Sequence, residues 1–282
     1  MENKKILMLT MSCNNPFYKS LLGAVKDTWA KPLIQNKYPN INWFAYTSCD
    51  KKHPNPMVDF ENNMIYVDVP DDIFHTYEKT QAAWNLIKDK IDFDYVIRTN
   101  TSVYINIKNM INHFNNIPND YIVGRFVNSD IRNIHTGEIK LSFWLMAGFF
   151  FGMKKDYFNF CMGANKKFIS DIYDASYKEY VDDDIISLRL KSILGDDYPS
   201  MHIENTDDDF CITYKPYLPT NDKKEQEKRD WVYKINQFKV FFDPNIVNQY
   251  VMIRIRSYYN DSNRSELGHE IEHFYELDEC LN

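Results

Sequence analysis

An α/β fold with a mostly parallel central sheet flanked by helices is predicted by three features of this 282-residue sequence. Four short apolar runs are interspersed with amphipathic stretches of helix length in the first part of the chain, as in βαβ units. Three of those four runs end in small polar or acidic residues, as strands do at the carboxyl edge of an open sheet, where ligands sit. The chain is also long enough to bury a substantial core.

The first strand is "KKILMLTMS", which ends at Thr10 and Ser12. A helix follows in "NNPFYKSLLGAVKDTWAKPLI", where Leu21, Leu22, Val25 and Trp29 share one face and Pro32 helps to stop it. "INWFAYTSCD" is a second strand, ending in Thr47, Ser48 and Asp50, and "NMIYVDVPDD" is a third. "IFHTYEKTQAAWNLIKDKI" is a helix with Ala83, Trp84, Ile87 and Ile91 on its apolar side. The fourth strand, Tyr95-Val96-Ile97, runs into a polar knot of Arg98, Thr99, Asn100, Thr101 and Ser102. A core strand that ends so is making either a turn or a binding site. Further on, "YIVGRFV" and "FWLMAGFFFGMKKDYF" read as strands with glycine breaks, and "DDDIISLRLKSIL" as a helix capped by Asp182 or a neighbour. "FKVFFDP" and "QYVMIRIRSYY" are late strands, and "SELGHEIEHFYEL" is a terminal helix. The polar stretch near 216–230 reads as a linker. It divides a core of 1–215 from an extension of 216–282 packed on it, one domain overall.

Composition excludes several classes. A net charge of −7 argues against a nucleic-acid partner, which needs a clustered basic surface. The five cysteines are odd in number and contain no C-x-x-C, so neither a zinc site nor a disulfide framework is indicated. A reducing compartment is expected, and with no signal peptide read at the N-terminus the expected location is the cytoplasm. The most apolar run, "FWLMAGFFFGM", is too short to span a membrane. Aromatic residues make up 16% of the chain, which suits dense core packing and also stacking on sugars or bases.

No G-x-G-x-x-G, Walker lysine loop or G-x-S-x-G occurs. The His269/His273 pair lies on a predicted surface helix face. Among the acidic clusters, Asp71-Asp72 reads as a loop leading into a helix, and Asp207-Asp208-Asp209 as an exposed turn with some capacity for a metal. Asp182-Asp183-Asp184 differs, because it follows a glycine-flanked apolar segment and opens a helix. A carboxylate held there suits a general base, which must lie within hydrogen-bond reach of the hydroxyl it deprotonates.

Five of these segments together resemble the Fringe and beta-1,3-galactosyltransferase type of glycosyltransferase, which has the GT-A fold. "AVKDTWAK" is similar to that family's early helix ending in Thr-Trp, and "YEKTQAAW" to the helix that precedes its metal strand. "YVIRTNTSVYIN" resembles "YVMKTDDDVFVN", "AGFFFGMKKDYF" the glycine-rich acceptor-side strand, and "DDDIISLRL" the start of a later helix. Their order and spacing hold over about residues 5–195.

The resemblance implies a GT-A-like (Rossmann-like) sheet and transfer of a sugar, with inversion, from a nucleoside diphosphate sugar (UDP by preference) to a hydroxyl of a glycan or glycoprotein. It implies Asp183 as general base, with Asp182 and Asp184 as alternatives. Thr10, Ser12, Asp50, Lys79, Arg98, Asn100 and Ser102 would line the donor site, and Trp144, Gly148 and Phe149 the acceptor side. The family's D-x-D aspartates, which hold a divalent metal on the diphosphate, are replaced here by Asn100, Thr101 and Ser102. No metal site is therefore expected, Mn²⁺ is disfavoured, and Arg98 and Lys79 would offset the diphosphate charge. The family's animal members carry a membrane anchor that was not found here, which would fit a microbial or viral enzyme. Two other readings compete. One is an inactive sugar- or protein-binding module; the other is a nucleotidyltransferase, which "MSCNNPF" after the first strand does not favour.

Overall fold

The computed structural model describes residues 4–116, 122–132, 138–164, 182–195, 203–205, 211–214, 252–255, 274–275 and 277–279. The chain forms two compact units. The first comprises Met1–Asn14, Tyr38–Asn100 and Ile117–Thr206; the second comprises Asn15–Lys37, Thr101–Asn116 and Asp207–Asn282. The expected 215/216 boundary and the 216–230 linker lie outside the described residues, as do "FKVFFDP", His269, His273 and Asp207 to Asp209.

The first unit is an α/β structure built on an eight-stranded sheet. Its strands are β1 (Ile6–Met11), β2 (Ile41–Ser48), β3 (Met57–Asp59), β4 (Met64–Val67), β5 (Tyr95–Asn100), β7 (Ile122–Arg132), β8 (Ile139–Lys154) and β9 (Ile203–Asn205). Across the sheet the order is β3-β4-β2-β1-β5-β8-β7-β9. The pairs β4–β2, β2–β1, β1–β5 and β7–β9 are parallel, so only β3 and β8 run against the rest. Near-continuous apolar runs make the central strands buried on both faces: Ile6 to Leu9 are at most 1% exposed.

Among the described residues, three helices cover one face: α3 (Thr76–Ile87), α5 (Lys155–Met162) and α6 (Asp182–Leu194). They share a core with alternate strand residues, among them Leu7, Leu9, Phe44, Val96, Phe151, Trp84, Phe158 and Ile186. Tyr77 and Gln81 of α3 reach the carbonyls at the C-terminal end of α5. Tyr77 Oη bonds to Cys161 O at 2.7 Å and Ala164 O at 2.9 Å, and Gln81 Nε2 to Met162 O at 2.5 Å. These side chains satisfy carbonyls that the end of a helix leaves unpaired.

The second unit holds α1 (Pro16–Asp27), α2 (Lys31–Ile34), α4 (Ile107–Asn116) and a small sheet of β10 (Cys211–Tyr214), β11 (Met252–Ile255) and β6 (Val103–Ile105). Asn15 caps α1 by accepting the Phe17 N–H at 2.9 Å, and Pro16 occupies the first turn. The helix ends at Asp27, earlier than the sequence suggests. Thr28 Oγ1 donates to Ala24 O at 2.6 Å, and Pro32 lies in the first turn of α2 rather than closing α1. Residues 274–275 and 277–279 are helical, and two of them bond to β6 and to the end of α1. Tyr104 Oη donates to Asp278 at 3.1 Å, and Tyr275 Oη to Asp27 at 3.1 Å.

Candidate functional site

The strand registers place several candidate residues on one edge. Met11 lies opposite Asn100, so β1 and β5 end level with one another, and Ser12 continues directly from that edge. Thr99 faces Phe150 on antiparallel β8, so Gly148, two residues earlier in the chain, lies beyond the end of β5 on the same edge. Two strand spacings, about 10 Å, separate β1 from β8 there. The boundary between the two units falls between Asn100 and Thr101, inside the polar knot.

At the β1 end the edge is a bonded network. Lys79 projects from α3 with its ammonium 2.5 Å from Ser12 O and in an ion pair with Asp71. Asp71 also accepts the Asn14 N–H, and Ser48 Oγ approaches its Oδ1 at 2.9 Å and Val69 O at 2.6 Å. The Asn14 amide donates to Ser48 O at 2.7 Å. Cys13 sits inside the network, with its Sγ 4.0 Å from the ammonium. Burial pushes the Cys13 thiol up; Lys79 pulls it down and Asp71 adds to the rise.

At the β8 end stands Asp183, on α6. Between the pairs Gly124–Phe151 and Phe126–Met146, β7 advances two residues while β8 advances five, so β8 bulges at 147–150. Within the bulge the Gly148 N–H donates to Asp183 Oδ2 at 3.2 Å. Ser187 completes the attachment: its hydroxyl donates to Asp183 O at 2.6 Å and accepts the Met146 N–H at 2.8 Å. A helix N-terminus favours a carboxylate in its first turn, so the aspartate stabilises α6 while its carboxylate faces the bulge. Asp184 occupies the same turn, half-buried. The side chains of Asp182, Trp144 and Phe149 lie outside the described residues, although their backbones belong to α6 and β8.

Three other expected site residues, Thr10, Asp50 and Arg98, make bonds of their own. Thr10 is buried, and its Oγ1 accepts the Trp43 Nε1–H at 2.9 Å. Asp50 folds its own loop, accepting the N–H groups of Lys52 at 3.0 Å and His53 at 2.9 Å. Arg98 is 1% exposed on the helix-covered face, 3.3 Å from Tyr46 Oη and over the Phe151 ring at 5.7 Å. Asn100 is half-buried at the end of β5, and Ser102 is buried.

No protein-family model matches this sequence, and no curated protein does. Solved glycosyltransferase structures do. The chain is similar to galactosyltransferase LgtC in complex with donor and acceptor sugar analogs, at 12% identity and a TM-score of 0.47 over 98% of this chain and 96% of that one. It is similar to a glycosyltransferase involved in glycosylation of the major capsid of PBCV-1, at 11% identity and a TM-score of 0.41 over 96% and 98%. It is also similar to the glycosyltransferase GlyE of Streptococcus pneumoniae TIGR4, at 9% identity and a TM-score of 0.43 over 100% of this chain and 61% of that one.

The residues that the sequence resemblance would put at a metal position do not suit a divalent cation. Asn100, Thr101 and Ser102 offer an amide and two hydroxyls, whereas Mn²⁺ and Mg²⁺ favour anionic oxygens. Among the described residues, no group of three His, Cys, Asp or Glu side chains has metal-binding geometry, and no helix is long and apolar enough to cross a membrane.

Asp71, Asn14, Ser48 and Cys13 are not among the site residues expected from the sequence, where Asp71 reads as a loop leading into a helix and Ser48 as a strand end. One signal was present. Lys79 lies four residues before Ala83 and eight before Ile87, which puts a cation on the buried stripe of α3. A lysine in that position needs a partner, and the nearest upstream acidic loop supplies it.

Proposed function

We propose that this chain is a glycosyltransferase of the Fringe and beta-1,3-galactosyltransferase type. It moves a sugar from a nucleoside diphosphate sugar, UDP by preference, to a hydroxyl of a glycan or glycoprotein. The observation that carries the reading is the Asp183 carboxylate, fixed by the Gly148 N–H on the sheet edge where β1 and β5 end. The succession of family-like segments over about residues 5–195 supports the same reaction.

In this reading the donor lies along the carboxyl edge near Ser12 and Asn100. Asp183 accepts the proton of the acceptor hydroxyl. The hydroxyl oxygen forms its bond to the anomeric carbon from the face opposite the diphosphate. The bond from that carbon to the β-phosphate oxygen breaks, its electron pair leaves with the nucleoside diphosphate, and the configuration inverts. The neutral triad at 100–102 argues for turnover without a divalent cation.

The test is a thermal-shift panel of UDP, GDP, CMP and dTDP sugars, each in EDTA and in Mn²⁺, followed by Asp183→Asn. Stabilisation by one donor in EDTA, with transfer lost and donor binding kept in Asp183→Asn, is the expected result. Stabilisation only with Mn²⁺ overturns metal independence, and retained turnover in Asp183→Asn removes it as the base. The same neutral triad favours a second reading, a binding module without turnover. Donor binding with neither transfer nor donor hydrolysis in the wild type would establish it.

A further inference from the structure

One ion pair holds the turn Ser12-Cys13-Asn14 from both sides. Lys79 grips its first residue through Ser12 O, and Asp71 grips its last through the Asn14 N–H. Ser48 Oγ bonds to the same carboxylate oxygen that meets Lys79, joining the end of β2 to the assembly. The side chains of Lys79 and Asp71 are 2% and 21% exposed. An ammonium has three N–H donors; Ser12 O and Asp71 Oδ1 take two of them here, and Cys13 Sγ lies 4.0 Å from the nitrogen.

We propose that Asp71 and Lys79 are positioning residues for the donor, a closed clasp that sets the backbone of the Ser12–Asn14 turn, and that Lys79 is not the counter-charge of the diphosphate. The proposal rests on the reading that the donor lies at this edge. A counter-charge would aim its hydrogens at phosphate oxygens, whereas this buried ammonium spends two of its three on Ser12 O and Asp71. The two halves of the clasp act as one unit, so losing either releases the turn.

The two roles predict opposite outcomes for Asp71→Asn. A counter-charge freed of its carboxylate binds UDP more tightly. A clasp that loses its carboxylate weakens UDP and raises the donor KM as much as Lys79→Met does, with kcat little changed. The variants to compare are Asp71→Asn, Lys79→Met and the double substitution. Two readouts serve: UDP affinity, and the rate at which N-ethylmaleimide labels Cys13, located by peptide mass mapping.

The thiol readout separates position from charge. Lys79 lowers the Cys13 proton affinity and Asp71 raises it, so electrostatics alone would slow labelling in Lys79→Met and speed it in Asp71→Asn. Release of the turn speeds both, by about tenfold, because labelling follows local opening. The double variant should label no faster than either single one, since interacting residues are not additive. Asp71→Asn leaves a buried ammonium without its carboxylate; where it does not fold, the double variant, which removes both charges, carries the test.

Tighter UDP binding in Asp71→Asn, or labelling rates that move in opposite directions, overturns the clasp. Faster labelling in both single variants with no UDP binding to the wild type upholds the clasp and overturns the glycosyltransferase reading instead. Faster labelling together with an equal loss of UDP affinity in both upholds the two.

Discussion

Gly148 donates its N–H to Asp183 Oδ2 at 3.2 Å, and it does so in a space tighter than an ordinary Cβ contact. A Cβ on Gly148 would lie 3.2 Å from Cβ, Cγ and Oδ2 of Asp183. Contacts that close force the neighbour to move by a few tenths of an ångström, and the neighbour is the proposed base. Gly148→Ala should therefore lower kcat by roughly 10- to 100-fold, since a misplaced catalytic group costs that much. Donor affinity should stay within about twofold of wild type, because the donor-side network lies two strands away. Unchanged kcat would show that Asp183 has room to shift without consequence.

Ser187 ties the same aspartate to the strand through its backbone. Its hydroxyl accepts from Met146 and donates to Asp183 O, and it is fully buried. Ser187→Ala leaves the Met146 N–H without that acceptor, at a cost of about 1–3 kcal/mol. In a chain of this size the midpoint should drop by roughly 2–4 °C per kcal/mol. Differential scanning calorimetry checks this, and a shift below 1 °C, or about 0.3 kcal/mol, would mean that water or backbone movement replaces the hydroxyl.

Thr10 offers the converse case, a residue expected at the donor site that the structure places in the core. Its Oγ1 accepts the Trp43 indole N–H. Thr10→Val keeps the shape and removes the acceptor, so it should destabilise by about 1–3 kcal/mol and leave the donor KM unchanged. A rise in donor KM with no stability loss would return Thr10 to the donor site.

The sheet was legible because its strands announce themselves one at a time. β1, β2, β4 and β5 are apolar runs bounded by turn residues, and α3 and α6 follow from apolar spacing, all of which are local signals. β3 is missed in the sequence because three residues at a sheet edge carry no periodicity. The end of α1 is misread because the chain leaves helical geometry at Thr28, four residues before the proline. The candidate site divides along the same line. Asp183 could be proposed from its place before an apolar helix, whereas the Asp71–Lys79 pair joins a loop to a helix face that meet only in three dimensions. Nor does polarity reveal direction: Thr10 and Ser12 both look like edge residues, yet only Ser12 lies within the edge network.

The Tyr77–Cys161 contact yields a pH dependence. Burial holds the Tyr77 hydroxyl well above its ordinary range and pushes the Cys161 thiol up to about 12. In the folded chain both keep their protons at pH values where an unfolded chain gives them up, about 8.5 for cysteine and about 10 for tyrosine. Between those values and the native ones the unfolded state binds fewer protons, so unfolding free energy falls as pH rises. Their contribution is whole below about pH 8.5 and is lost toward pH 12, at up to about 1.4 kcal/mol per pH unit for each proton. Tyr77→Phe removes one of the two protons, along with the hydroxyl that bonds to Cys161 O and Ala164 O. It should be less stable than wild type at pH 8, by about 1 kcal/mol for the lost bonds. Above pH 10 it should lose stability less steeply, so the two curves converge. Urea unfolding at intervals from pH 8 to 11 measures both slopes, with the other tyrosines and lysines as a shared background. Parallel curves would show that the Tyr77 hydroxyl titrates as it does in the unfolded chain.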